Sequence, residues 1–575
     1  MVDFKMKNMK IIKNSIFLLA LAGLFQACDK QDFVDVNKSP DALGSVPPQN
    51  QFLNATIKMN ETDFDAFYEH YRRVMPWMQY TTGLNGNEGP YTQNWDNFTQ
   101  RYGRLYNGVG DNLNDVKMLV SNLREEEQPR YTQMISIANI VKAYYAFYVS
   151  DIHGSIPYSE AFQGRYGGTL QPKYDSQQAL FATLDAELKA AIATLKQTPS
   201  VSQVALGIYD QYYAGDTQKW VKAANALRLR LAMRVKKADA AAANAIITEV
   251  LASPATDFME SNADGWVFKA NAAFTGTGDG GNRNPSDLRA PKPMVDFMWN
   301  TKDPRIDAFF TPNGYSQTNI NLLITAGLLP AGTVAPERRY VGSLTSPDEA
   351  VTLENIRRFY TRKRVVSGTT EIQVDTLSFL QPRLFSAGYA VNGTNGTGFS
   401  YLPVITYAEY CFMRAELALS GMGSGTAKDW YEKGVISSIR WYDEVGTGSQ
   451  LTNYTAVTQA DIDTYLMQPG VAYDAAKGLD QIASQSYLNF MKQAPEGWAL
   501  WKRTGYPNPT SVVPLPVVRS LNTALVIPRR APLGLVNDTD PNVENKKAAY
   551  SAMATLPGFG SNPGDATGRV WWDKP

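Results

Sequence analysis

The chain has 575 residues, with 55 basic and 55 acidic side chains and a formal net charge of zero. That balance argues against a nucleic-acid binder, which carries a basic excess. A hydrophobic content of 44% with 19% charged residues describes a globular chain with a large core and excludes general disorder. Two Cys exclude a disulfide framework, and His70 and His153 have no partners at metal-ligand spacing, so a His-rich zinc site is not expected.

Lys5, Lys7, Lys10 and Lys13 open the chain, and an apolar run follows from Ile16 to Phe25. The run is well short of the ~20 residues that span a bilayer, so residues 1–27 read as a secretory signal peptide. Leu24-Phe25-Gln26-Ala27-Cys28 resembles a lipobox, which makes Cys28 the expected site of lipidation. Residues 28–50 contain Pro40, Pro47 and Pro48 and read as a lipidated tether.

Helical patterns dominate residues 51–254, read as a helical-repeat scaffold. Met134, Ile137, Ala138, Val141, Tyr145 and Tyr148 recur at spacings of one helix face. Asp175, with Gln178 three residues on, suggests a capping box before a helix through Leu180, Leu184, Leu188 and Ile192. Asp216 opens a further helix with Trp220, Ala224, Leu227, Leu231 and Val235 on one stripe. Another helix is expected at about residues 239–252. Residues 255–400 change character, with Gly-rich runs at 276–281 and 392–398, and read as a loop-rich insertion or lid. Within it Phe359-Tyr360 and Glu371-Ile372-Gln373-Val374 look like strand fragments. Residues 401–575 form a second helical part with an irregular C-terminal segment; helices are expected at Tyr401–Leu419, Ala427–Tyr442 and Gln481–Trp501. Cys411 falls on an apolar stripe and reads as a small core residue.

Several segments, taken in order, resemble the SusD/RagB family of nutrient-binding outer-membrane lipoproteins, in its second SusD-like branch. They are Gly154-Ser155-Ile156-Pro157-Tyr158-Ser159-Glu160-Ala161, the helix from Trp220 to Arg234, Asp303-Pro304-Arg305, Tyr407-Ala408-Glu409 with Arg414-Ala415-Glu416, and Ile527-Pro528-Arg529-Arg530. Ser155 stands where the family usually has Asp. The resemblance implies a mostly α, SusD-like scaffold of tetratricopeptide-like helix pairs with a loop-rich lid, packed as one domain. It also implies a lipid-anchored protein on the outside of the outer membrane. Such a protein captures oligosaccharides, or alternatively oligopeptides, and delivers them to a SusC-type TonB-dependent transporter. It needs no catalysis and no cofactor; a surface glycosidase is the enzymatic alternative.

The polar motif residues have a structural reading. Asn225, Arg228 and Arg230 on a core-facing helix are expected to pair with neighbouring backbone or carboxylates. Glu409 and Glu416 lie seven apart on one face, where helix-packing salt bridges are expected instead of acid–base work. Asp538, Asp540 and Asn542 echo a calcium loop, but Val543 and Ala549 occupy positions that need Gly and Glu. The segment Trp77–Asn97 mixes aromatics with Gly83, Asn85, Gly86, Asn87 and Gly89. It is the candidate ligand site, with Trp77, Tyr80, Tyr91 and Trp95 offering ring faces and Asn97 a polar contact. The alternative there is that Trp77 and Trp95 anchor the loop on the core.

Overall fold

The computed structural model describes residues 46–61, 65–82, 91, 98–270, 285, 288–391 and 393–575. Cys28 and the signal-peptide stretch lie outside them. Helices carry the first half: α1 (Pro48–Asn60), α2 (Gly110–Ser121), α3 (Thr132–His153), α4 (Gln177–Leu195), α5 (Thr217–Val235) and α6 (Ala240–Leu251). Asp216 caps α5, its carboxylate accepting from the N–H groups of Gln218 and Lys219 at 3.0 and 3.1 Å. Asp239 caps α6 by accepting from Ala242. The cap of α4 is Ser176, which accepts from Ala179, and not Asp175. Asp175 lies in the short ladder between β1 (Ile156–Pro157) and β2 (Tyr174–Asp175). Its carboxylate there takes the Tyr158 and Ser159 N–H groups and the Ser159 hydroxyl. A carboxylate engaged by three donors is no longer available to a helix start.

The helices pack in sequence, α3 on α4, α4 on α5 and α5 on α6. Only residues 236–239 join α5 to α6, so the chain must turn back on itself. Leu180, Leu184 and Leu188 meet Trp220, Leu227 and Leu231 in the core, as the stripes predict. Trp220 satisfies its indole by donating to Asp210 at 2.7 Å. The polar residues of α5 are buried and paired. Asn225 donates to the Asp257 carbonyl, and Arg228 bonds Asp185 through two nitrogens and also reaches Glu249. Arg230 grips both oxygens of Glu409 at 2.7 and 2.6 Å, and Arg234 bonds Asp151 and Glu496.

Among the described residues, 255–400 carry short regular elements between their loops. They contain β3 (Trp266–Ala270), α7 (Lys292–Asn300), α8 (Gln317–Thr325), α9 (Leu353–Phe359) and a hairpin of β4 (Arg362–Ser367) and β5 (Thr370–Asp375). Glu371–Val374 lies within β5 as expected, whereas Phe359-Tyr360 ends α9 instead of starting a strand. Tyr401 does not begin a helix. It sits in β6 (Ser400–Ile405), antiparallel to β3, and α10 (Tyr407–Leu419) starts only after Thr406, whose hydroxyl accepts from Glu409 N–H. Then come α11 (Ala427–Gly448), α12 (Gly478–Asn489), α13 (Ala494–Thr504) and α14 (Val543–Ala554). The expected continuous helix Gln481–Trp501 is broken at 490–493, just before Pro495 at a helix-start position. Cys411 is a buried core residue of α10. Among the described residues, named strands pair only two by two, so the class is mostly α. Pro48–Pro575 forms one compact unit.

His153 closes α3 in the core, and its Nδ1 donates to the Val149 carbonyl at 2.9 Å. Burial pulls its pKa from 6.5 down to about 4, against the backbone hydrogen bond, which favours the charged ring. The unfolded chain therefore takes up this proton first as pH falls. The contribution to stability is complete above pH 6.5 and is lost on the way down to about 4. The loss amounts to roughly 3 kcal/mol. In His153→Gln the melting temperature should fall less steeply between pH 7 and 4.5 than in the parent. Superimposable profiles would contradict this.

Candidate ligand-binding site

The chain from Trp77 to Thr82 is fastened at almost every residue. Tyr80 stacks on Tyr487 with centroids 4.4 Å apart, and each hydroxyl donates to a carbonyl of the other segment, Tyr80 to Tyr487 and Tyr487 to Met78. Gly497 on α13 makes room for this hydroxyl, since a Cβ there would stand 2.1 Å from it. Gln79, in a left-handed conformation, donates to the Pro516 carbonyl at 2.6 Å. Thr81 and Thr82 bond the backbone of Arg289. Tyr91 packs edge-on against Trp77 and donates to the Thr345 carbonyl at 2.8 Å. Burial pushes the phenols of Tyr80 and Tyr91 upward, so both remain neutral donors.

Trp77, Tyr80 and Tyr91 are 2%, 0% and 6% exposed, so their rings offer no free face. The structure gives these three an anchoring role, not that of exposed stacking platforms. Composition suggests a sugar-binding surface, but here the aromatic faces are spent on one another and on a cluster of buried residues that includes Met294, Phe309 and Trp498. Trp95 and Asn97 lie outside the described residues.

The anchors border a cleft of about 500 Å³, within the usual range for small-ligand sites. Its walls are α7, residues 344–349 and residues 512–517. Two of the anchors reach these walls directly, Tyr91 at Thr345 and Gln79 at Pro516. Phe297, Pro514, Pro516 and Val517 give the cleft apolar surface, while Asn300, Thr301 and Ser346 add polar groups. Asp296 is held between Lys292 and Arg338. None of these wall residues was singled out from the sequence. The signal available there was proline: Pro291 and Pro293 open the α7 wall, and Val512–Val517, with Pro514 and Pro516, makes a rigid irregular one.

The acidic pair on α10 is committed elsewhere. Glu409 is bound by Arg230, and Glu416 by Arg503, with one contact at 2.7 Å. Burial would raise the carboxyl of the neighbouring Glu496, but Arg230 and Arg234 more than reverse this and hold it at about 2. This is a structural charge network inside the scaffold. Among the described residues, no group of His, Cys, Asp or Glu is placed to hold a metal ion. No described helix is long and apolar enough to cross a membrane.

The SusD-like family model, described as starch-binding and associating with the outer membrane, matches residues 40–328 and 376–532. No curated protein matches the chain significantly. Among solved structures, a chitin-binding protein aligns at TM-score 0.68 with 24% identity, over 92% of this chain and 100% of its own. A SusD homolog from Bacteroides fragilis aligns at 0.63 with 20% identity, over 92% and 100%. A chitin-binding SusD homolog from Flavobacterium johnsoniae aligns at 0.60 with 20% identity, over 91% and 97%. These likenesses fix the shared fold.

Proposed function

We propose that this chain, which belongs to the SusD-like family of outer-membrane-associated nutrient-binding proteins, captures oligosaccharides at the cell surface and passes them to a SusC-type TonB-dependent transporter. The observation that carries the reading is the cleft beside the anchored aromatic segment, in a chain whose family is described as starch-binding. Two relatives in fold are described as chitin-binding, which favours glycans over peptides. Trp95 and Asn97, which follow the Tyr91 anchor, are the proposed stacking and polar contacts. Cys28 is the proposed lipid attachment that holds the protein at the membrane. Residues 255–400 are the proposed lid region. Capture needs no bond making, so the protein is proposed to return its ligand uncleaved.

Fractionation and mild-detergent affinity purification from the native host test the delivery half of this proposal. The parent protein should fractionate with the outer membrane and bring down a large β-barrel. Cys28→Ala should leave the membrane fraction. Retention of Cys28→Ala would remove the lipid anchor, and repeated recovery of the parent alone would remove the transporter.

A further inference from the structure

The family match breaks between residues 328 and 376. The unmatched stretch is not bare loop. It contains α9 and the β4–β5 hairpin, and Val365 and Val374 pack with Leu323 of α8 into a small core of their own. Its middle returns to the body of the protein and is clamped there. Ser343 bonds the backbone of Ala290 and Lys292 at 2.7 and 2.8 Å. Gly342 lies so close to α7 that a Cβ would come within 2.3 Å of the Lys292 Cα. Tyr91 holds the Thr345 carbonyl. On the far side, the Arg519 N–H donates to Ser346 Oγ at 3.0 Å and the Asn522 N–H to Asp348 at 2.8 Å. Leu344–Glu349 thus forms one complete wall of the cleft, built wholly from residues outside the family pattern.

The charges on this cleft are uneven. Its lining holds one cation, Lys292, against two carboxylates, Asp296 and Glu349; Lys292 is paired with Asp296, which Arg338 also bonds from outside the lining. Glu349 is exposed, lines the cleft and makes no ion pair among the described residues. We infer that the wall Leu344–Glu349 sets the ligand selectivity of this chain, with Glu349 favouring neutral oligosaccharides over anionic ones such as uronate polymers. An approaching carboxylate or sulfate meets a like charge at Glu349, while Lys292, the basic residue among those that line the cleft, is already held by Asp296. A neutral sugar meets proline, valine and phenylalanine surface together with hydroxyl and amide groups.

The inference rests on the capture reading, and two variants separate the two. Val517 is 50% exposed on the wall opposite, so Val517→Trp fills the cleft without touching the core. Glu349→Lys reverses the charge at an exposed position. The parent and both variants are titrated with maltohexaose, chitohexaose and tetragalacturonate, and their melting temperatures are recorded. The parent should bind a neutral hexasaccharide more tightly than tetragalacturonate. Val517→Trp should weaken the neutral ligand about tenfold or more, with a melting temperature within about 2 °C of the parent. Glu349→Lys should shift the preference toward tetragalacturonate by about fivefold. Parent binding with unchanged affinities in Val517→Trp, or unchanged preference in Glu349→Lys, would overturn this inference alone. No neutral hexasaccharide bound by the parent would overturn the capture reading and this inference with it.

Discussion

Arg230→Ala should destabilise the protein by about 3–5 kcal/mol in urea unfolding, a large part of the stability of any domain. The guanidinium is 2% exposed on α5 and makes two bonds to Glu409 on α10, at 2.7 and 2.6 Å. It also donates to the Val404 carbonyl in β6 at 2.5 Å and lies 3.6 Å from Glu496. These partners come from distant parts of the chain, so the side chain ties the first helical half to the second. Truncation leaves Glu409, itself 3% exposed, without the cation that offsets its desolvation. The cost therefore comes chiefly from the orphaned carboxylate and less from the lost attraction. The double variant Arg230→Met with Glu409→Met removes both charges and should recover much of the loss. A single variant within about 1 kcal/mol of the parent, or a double variant no better than the single, would contradict this account.

How much of this was legible in the sequence depended on whether the signal was local. α5 was fully legible because its cap, its apolar stripe and its polar residues lie within one run, and each found the partner type that burial demands. The start of α10 was misread. Val404 and Ala408 are spaced like a helix face, but Ser400–Ile405 pairs with Trp266–Ala270, and that distant partner overrode the local pattern. The capping box at Asp175 failed for a similar reason, because donors in the preceding turn took the carboxylate. At the candidate site, composition identified aromatics but not their burial. Tyr80 is anchored by a carbonyl 407 residues away, which no window on the sequence reveals. The cleft is assembled from three segments far apart in the chain, and each alone is an ordinary helix or proline-rich loop.

Calorimetric titration of the purified mature protein with maltohexaose and chitohexaose, alongside a pool of peptides from digested casein, tests the central claim most directly. Saturable binding to at least one of the two sugars is predicted, and none to the peptides. The bound sugar should be recovered at its original length by chromatography. Trp95→Ala should weaken binding several-fold, since an aromatic stacking contact contributes roughly 1 kcal/mol. The cleft beside the anchored segment supports this expectation, and so does the starch-binding description of the family. Saturable binding to peptides with none to either sugar, or shortened sugar in the recovered fraction, would contradict it.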